Sequence, residues 1–304
     1  MFDIVVVGGG VAGLTAALFG ARQGRSTLCL VSDIPGGHLA TIDEVEDFPG
    51  FAGGVAGYWL GPTIQEQAEA AGAEFRMASV DGIGALGGGW KLATGDGDIE
   101  ARTVIIATGS RNRPLGVPGE EQLLGKGVSH CASCDGPMLR GKPVAVVGAG
   151  DSGLQEALTL AGFASEVMVI HRSERPHAQA VYRQRVLENP TITLRGNTVV
   201  EEVPGDAAVE GLRVRDLVTG ETAHVAAAAV FVYTGLDPNT EFLRGALRLD
   251  ASGRIPTDVW MRTELPGLFA AGDVRSHSAS QAVTAAGDGA TAALAAHRYL
   301  EGLG

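Results

Sequence analysis

Phe2-Asp-Ile-Val-Val-Val7 runs directly into Gly8-Gly-Gly10-Val-Ala-Gly13 and then into the apolar stretch Leu14–Gln23, and the reading of this segment decides the fold. Phe2–Val7 is a short apolar strand, Leu14–Gln23 has helical character, Gly24 suits a helix C-cap, and Thr27–Val31 reads as a second strand. Strand, glycine turn, helix and strand within about thirty residues make the βαβ unit of a dinucleotide-binding fold. Glycines at Gly8, Gly10 and Gly13 let the backbone approach a pyrophosphate, which then sits at the N-terminus of the following helix. Counting on from Gly13 reaches Ser32 and Asp33, where a carboxylate can hold a ribose hydroxyl.

The same order returns later in the chain. Val144–Val147 is a strand, Gly148-Ala-Gly150-Asp-Ser-Gly153 a glycine turn, Leu154–Leu160 a helix and Glu166–Ile170 a strand. Taken alone, either turn is equally a tight strand–helix connection with no ligand; the pair points to two related nucleotide domains. Each copy closes on a matching feature, Thr103–Ile106 running into Ala107-Thr-Gly109 and Ala229–Val232 into Tyr233-Thr-Gly235. Short alternating segments, such as Trp90–Ala93 after Gly87-Gly-Gly89, predict a small β-meander in each domain. The expected fold class is therefore α/β, with two Rossmann-like dinucleotide-binding domains that each carry a β-meander. Further on, Gly267-Leu-Phe-Ala-Ala-Gly272-Asp273 is a strand entering a Gly-Asp turn, followed by an Ala-rich helix from about Gln281 to Leu300. In the second copy the acidic position is taken by Arg172 and Ser173 after His171, and an arginine there suits a 2′-phosphate.

Composition agrees with a chain built on turns. It has 304 residues, enough for roughly two domains, and 45 of them are glycine, set between apolar runs and not in a tract. With 45% hydrophobic and only 5% aromatic residues, the core must come mainly from Ala, Val, Leu and Ile. A net charge of −12 argues against nonspecific binding to nucleic acid or an anionic membrane. The segment Met1–Gly10 lacks the basic region and cleavage site of a signal peptide, and the longest apolar run, Val225–Tyr233, is too short to span a bilayer. Three cysteines form no disulfide scaffold, so a cytoplasmic enzyme is expected. Cys29, inside Thr27–Val31, is read as an inert buried strand residue.

Cys131-Ala-Ser-Cys134 is different. Two thiols at this spacing can close a disulfide across one helical turn, and a helix N-terminus can lower the thiolate pKa of the first. The competing readings are half a zinc site or two packing cysteines; no second CxxC or close Cys/His pair completes a set of four zinc ligands, so no metal is expected. His130 reads as a local hydrogen-bonding or surface residue. Asp135 is either a solvated residue at the helix start or a proton donor to a departing thiolate or reduced flavin.

These motifs together resemble those of the low-molecular-weight thioredoxin reductases over essentially the full chain. The resemblance is carried by Gly8–Gly13, Gly36-Gly-His-Leu39, Glu44-Val-Glu-Asp-Phe-Pro-Gly50, Cys131-Ala-Ser-Cys-Asp-Gly136, Gly267–Val274 and Gln281–Gly289. It implies an FAD domain from about residues 1–112 and 240–304 and an inserted pyridine-nucleotide domain, 113–239, that carries the CxxC. By the same resemblance FAD contacts Gly8, Gly10, Val11, Ala12, Gly13, Ser32, Asp33, Gly37, His38, Asp47, Gly272, Asp273, Ser280, Gln281 and Ala282. NADPH or NADH contacts Gly148, Gly150, Asp151, Ser152, Gly153, Arg172, Ser173 and His177. The mechanism that the resemblance implies is that hydride passes from nicotinamide to flavin N5, reduced flavin opens the Cys131–Cys134 disulfide, and Cys131 attacks the disulfide of a thioredoxin-like protein. On the same resemblance Cys134 would be the flavin-facing thiol, Asp135 would supply the proton, and Asp273 would bind the ribityl–pyrophosphate region. The helix from Gln281 aims its positive end at the flavin. Members of the family are homodimers whose two domains rotate during turnover.

Departures from the family pattern fall on the electron-donor site. NADPH-using members carry His-Arg-Arg-x-x-x-Arg; here His171-Arg-Ser-Glu-Arg-Pro-His177 keeps only the first arginine, with Ser173 and His177 at the other two positions. Loss of two permanent charges, with Glu174 nearby, weakens 2′-phosphate binding and outweighs the simple count to Arg172. Gly153 also stands where such members usually have Ala. On the flavin side His38 replaces Gln, Asp47 replaces Asn and Ser280 replaces Arg. The alternatives to an NAD(P)H-dependent reductase are a relative drawing electrons from ferredoxin or another donor, and a non-catalytic flavin-binding redox sensor. The intact CxxC argues against the sensor.

Overall fold

The run of β-branched residues in β1 (Phe2–Val7) is buried from Ile4 to Val7, the pattern of a parallel strand covered on both faces. A computed structural model describes residues 1–243 and 245–302; Arg244, Leu303 and Gly304, inside the expected FAD segment, lie outside the described residues. The chain divides into two units, Met1–Arg111 with Asp237–Gly304, and Asn112–Leu236.

In the first unit β1 leads to α1 (Val11–Arg22), β2 (Thr27–Val31), α2 (Gly57–Ala70), β3 (Glu74–Met77) and a meander of β4 (Val80–Leu86), β5 (Gly89–Thr94) and β6 (Gly97–Ile106). A short strand, β7 (Ser110–Asn112), follows. The second unit contains β8 (Val128–Ser129), α3 (Ala132–Asp135), β9 (Pro143–Val147), α4 (Asp151–Ala161), β10 (Glu166–Ile170), α5 (Ala180–Glu188), β11 (Ile192–Arg195), a meander of β12 (Thr198–Glu202), β13 (Leu212–Asp216) and β14 (Thr222–Val225), and β15 (Ala229–Val232). The chain returns through β16 (Leu236–Pro238) to β17 (Leu268–Ala270) and α6 (Ala282–Leu300).

The first sheet has the order β3-β2-β1-β6-β5-β4, with β17 added on β6. Strands β3, β2, β1, β6 and β17 are parallel, while β4, β5 and β6 are antiparallel. The long strand β6 serves both parts: Ala101 pairs with Trp90 of the meander and with Phe2 of β1. Alternation fixes the two faces. Ile4, Val6, Cys29, Ile105 and Phe269 pack against the alanines of α1 and α6, and Val5, Val7, Leu30, Val104 and Ile106 pack with Trp90 and Leu92. Small residues on α1 and α6 let the two helices approach closely, which is how a core with few aromatics fills its volume.

The second unit repeats this plan with a sheet of order β11-β10-β9-β15-β8, all parallel, and a separate antiparallel sheet β12-β13-β14. Val144, Val146, Val167, Val169 and Phe231 face Leu154, Ala157 and Leu160 of α4; Ala145, Val147, Val230 and Val232 face the meander residues Val200, Leu212 and Val214. Both fold expectations, the doubled Rossmann-like architecture and the meanders, agree with these sheets.

Two helix starts differ from the sequence expectation. Helix α1 begins at Val11, not Leu14, and α4 at Asp151, not Leu154. Gly10 and Gly150 are the extended N-cap residues, so the second half of each glycine motif already lies inside its helix. Sequence pattern places the start where apolar periodicity begins, whereas the backbone turns helical as soon as the loop ends. Among the described residues no helix is long and apolar enough to cross a membrane. None of their His, Cys, Asp and Glu side chains cluster in a way that could hold a metal.

Candidate active site

Both glycine turns are forced by backbone crowding. A Cβ on Gly13 would lie 1.8 Å from the Gly8 carbonyl oxygen, and one on Gly153 would lie 2.2 Å from that of Gly148. Gly8 and Gly148 have φ of +116° and +118° and abut the carbonyls of Ala107 and Tyr233, the residues just past β6 and β15. Gly10 and Gly150, by contrast, face open space with no atom within 4 Å of a built Cβ. That open backbone at the start of a helix is the cradle a pyrophosphate needs. Among the described residues only two buried side-chain polar atoms lack a hydrogen-bond partner, Ser110 Oγ and His171 Nδ1. One follows β6 and the other follows β10, so each sits past the carboxyl end of a parallel strand, where such folds bind ligands. FAD and a nicotinamide nucleotide therefore fit the residues present.

Around the first turn, Gly36 donates its N–H to the Gly9 carbonyl (2.8 Å), and Gly37, with φ +58°, brings its Cα region against Gly10. His38 Nε2 donates to the Ser110 carbonyl (2.6 Å), which ties the Gly36–Leu39 turn to β7. Ala12 touches Gly272, and Ala282 packs in the cluster that holds Val11 and Leu14. Gly8, Gly10, Val11, Ala12, Gly13, Gly37, His38, Gly272, Asp273 and Ala282 are thus brought together by α1, α6 and the ends of β1 and β17. Ser32 and Asp33 are exposed just past β2; Asp47 is exposed in the loop before α2.

The Gly272-Asp273 turn is held by groups that sequence pattern did not mark. Asp288 on α6 accepts the Gly272 N–H (3.1 Å) and a bidentate pair from Arg275, Nε at 2.6 Å and Nη2 at 3.0 Å. Ser278 Oγ donates to Asp273 Oδ1 (3.1 Å) and accepts the Ser280 N–H (3.1 Å), while Ser276 donates to Asp250. His277 and Ser280 have left-handed φ, 59° and 53°, so strain is concentrated in the segment that delivers Gln281 as N-cap of α6. Burial raises the Asp273 carboxyl above its ordinary pKa, opposed by the Ser278 hydrogen bond and the charge of His38.

At the second turn, His177 donates its N–H to the Ala149 carbonyl (3.0 Å), and Asp151 accepts both the N–H and the side-chain amide of Gln179 at 2.7 and 3.1 Å. This folds the segment after β10 back over Gly148–Gly153. Arg172 and His177 are exposed, Ser173 is half-buried and Ser152 is exposed. Burial lowers the pKa of His171, and the neighbouring His177 adds to the effect against a backbone hydrogen bond with Ser173.

Cys131 and Cys134 form a disulfide with Cα atoms 5.3 Å apart. Cys131 is the N-cap of α3, a single turn, and its Sγ accepts the Cys134 N–H at 3.2 Å. Its own N–H goes to Ser129 Oγ (3.1 Å), and its carbonyl accepts from Asp135 N. Asp135 lies in the single turn of α3 and is the N-cap of the 3-10 turn Gly136–Leu139, so it does stand at a helix start, but half-buried and not fully solvated. His130 Nδ1 bonds the Val232 carbonyl (3.0 Å), the local role expected of it. The remaining free cysteine, Cys29, is buried, and burial pushes its thiol up to about 12. Sequence pattern missed Glu156, buried on α4, which accepts the Ala132 N–H (3.0 Å) and the Tyr233 O–H (3.3 Å). The available signal was an acidic residue on the apolar face formed by Leu154, Ala157 and Leu160.

Comparison with known proteins extends over the whole chain. The pyridine nucleotide-disulphide oxidoreductase family model matches residues 2–289. The chain is 41% identical over 302 residues to a thioredoxin reductase of Treponema pallidum, covering 99% of this chain and 98% of that protein. Against a thioredoxin reductase of Mycolicibacterium smegmatis it is 42% identical over 299 residues, 98% and 96% of the two chains. The crystal structure of Lactococcus lactis thioredoxin reductase is similar with a TM-score of 0.97 and 38% identity over 100% of both chains.

Proposed function

The chain belongs to the pyridine nucleotide-disulphide oxidoreductase family, as an FAD-dependent disulfide oxidoreductase of the thioredoxin reductase type, and on that premise we propose how its own residues divide the work. The first unit holds FAD: Gly8, Gly10, Val11, Ala12 and Gly13 surround the pyrophosphate, Ser32 and Asp33 the adenosine ribose, and Gly37, His38, Asp47, Gly272, Asp273, Ser280, Gln281 and Ala282 the remainder. The second unit holds a nicotinamide nucleotide at Gly148, Gly150, Asp151, Ser152 and Gly153, with Arg172, Ser173 and His177 deciding between NADPH and NADH. Bound FAD supplies a two-electron relay. Two electrons and two protons then open the Cys131–Cys134 bond to two thiols, Asp135 supplying a proton at Cys134. Cys131 is the nucleophile toward a thioredoxin-like protein disulfide, because at the N-cap its sulfur receives the Cys134 N–H. The assembly is a cytoplasmic homodimer.

The observation that carries this reading is the Cys131–Cys134 disulfide on a one-turn helix in the same unit as the second glycine turn. The donor is tested by anaerobic titration of the purified flavoprotein with NADPH, NADH and chemically reduced ferredoxin, with flavin absorbance as readout. Bleaching by either nucleotide, followed by reduction of thioredoxin, supports the proposal. Bleaching by ferredoxin alone transfers the donor role to ferredoxin, and bleaching by none of the three points to a sensor. Full disulfide reductase activity in Cys134→Ser would refute the assigned redox pair.

A further inference from the structure

Glu156 is an acidic side chain with only 8% of its surface exposed, on the inner face of a helix whose neighbours there are Leu154, Ala157 and Leu160. A carboxylate is retained in such a place only when its charge and acceptors are used. Two donors meet at Oε2: the Ala132 N–H at 3.0 Å and the Tyr233 hydroxyl at 3.3 Å. Ala132 is the first residue of α3, so its N–H is one of the donors a helix start leaves unpaired. Tyr233 directly follows β15, and its carbonyl is the group against which Gly148 is packed. One carboxylate therefore joins the redox turn, the glycine-turn helix α4 and the end of β15.

We propose that Glu156 is a positioning residue for the Cys131–Cys134 couple, its carboxylate fixing the first N–H of the redox turn and so placing a negative charge at the helix start whose N-cap is Cys131. This inference rests on the reading of Cys131 and Cys134 as the redox pair. The physical consequence has a definite sign. A free N–H at this helix start would favour the Cys131 thiolate. Glu156 takes that N–H and adds like charge, so it restrains thiolate formation and makes the dithiol a stronger reductant than the helix start alone would. The other polar groups around the redox turn are Ser133, whose hydroxyl lies 3.5 Å from the Cys131 sulfur, Ser129, which accepts the Cys131 N–H, Asp135 on α3 itself, Tyr233 from the end of β15, and His130 after β8, whose Nδ1 is committed to Val232. Glu156 and the Tyr233 hydroxyl both reach the Ala132 N–H, and Glu156 is the one of the two that brings a negative charge to it. Burial and the Glu156 charge together raise the Tyr233 phenol far above its ordinary pKa, so the phenol remains a donor to Glu156 throughout the range in which thiols titrate.

The test isolates Cys131 in FAD-loaded Cys134→Ser protein and follows its alkylation by iodoacetamide against pH, by mass spectrometry. In that background Glu156→Gln, which keeps shape and an acceptor but removes charge, is expected to lower the alkylation midpoint by about one pH unit, a roughly tenfold gain in thiolate below it. In the intact pair a one-unit shift changes the dithiol–disulfide equilibrium tenfold only at pH above both midpoints, where it is about 30 mV in a two-electron potential. Tyr233→Phe removes the hydroxyl that shares the carboxylate charge and is expected to raise the midpoint. A midpoint unmoved or raised in Glu156→Gln overturns the proposal. Should that variant fail to retain FAD, a midpoint unmoved or lowered in Tyr233→Phe overturns it equally. Failure of the underlying redox-pair reading has a different signature: the disulfide of the wild-type enzyme would stay closed while its flavin is reduced.

Discussion

Gly287 and Gly289 stand two residues apart in α6, and replacing each by alanine should move stability in opposite directions. A Cβ at Gly287 meets no atom within 4 Å, whereas one at Gly289 falls 2.1 Å from the Ala12 carbonyl oxygen, 2.9 Å from its carbon and 3.1 Å from Ala16 N. In a helix interior alanine is favoured over glycine by about 0.8–1.0 kcal/mol, so Gly287→Ala should stabilise by up to about that amount. At Gly289 the same preference is opposed by a backbone clash. Ordinary carbon contacts lie near 3.5–4.0 Å, so α1 and α6 must separate by more than about 1 Å. Overpacking of this kind costs about 1–3 kcal/mol and occasionally more; a rigid backbone partner puts Gly289→Ala at the upper end, a net loss of about 2 kcal/mol after the helix preference is subtracted. At about 2–4 °C per kcal/mol for a domain of this size, the variant should melt roughly 4–8 °C below wild type. Because α1 begins at the glycine turn, the same displacement should loosen FAD. Thermal and urea unfolding, followed by circular dichroism and by the rise in fluorescence of released FAD, measure both effects. Gly289→Ala with wild-type stability and flavin retention, or Gly287→Ala as damaging as Gly289→Ala, would refute the close packing of α1 on α6.

Cys29 should resist iodoacetamide in the folded protein at pH 8 and react only on unfolding, since burial holds its thiol up to about 12; mass spectrometry showing modification before unfolding would contradict its place in the sheet. His171 carries the clearest pH dependence. Its pKa is lowered in the fold by burial, so below the ordinary value of 6.5 the unfolded chain takes up a proton that the folded chain does not. Stability is expected to fall as pH drops from 7 toward the lowered folded value, and His171→Gln should flatten the urea midpoint over pH 7 to 5; an unchanged slope would remove His171 as its source.

Much of this was readable from residue order alone. Gly8–Gly13 and Gly148–Gly153 identify their folds because a strand–helix turn around phosphate leaves few residue choices, and the alternation of Ile4, Val5, Val6 and Val7 assigns both sheet faces before any contact is known. The segment Cys131–Cys134 announced a disulfide because two residues bring the thiols within one turn. Apolar periodicity puts the starts of α1 and α4 three residues late, since it marks the buried face of a helix and not where its backbone begins to turn.

What sequence by itself determined, then, is the doubled architecture, the places where cofactors meet backbone and the redox dithiol, all fixed by short-range geometry among near neighbours. Only tertiary structure decided the supports. Ser278 on Asp273, Asp288 on Gly272 and Arg275, and above all Glu156 between Ala132 and Tyr233 join residues separated by 5 to 77 positions. Only burial shows why the last of these carboxylates is there: a charge inside a helix's apolar face has meaning once the N–H and O–H that meet it are known.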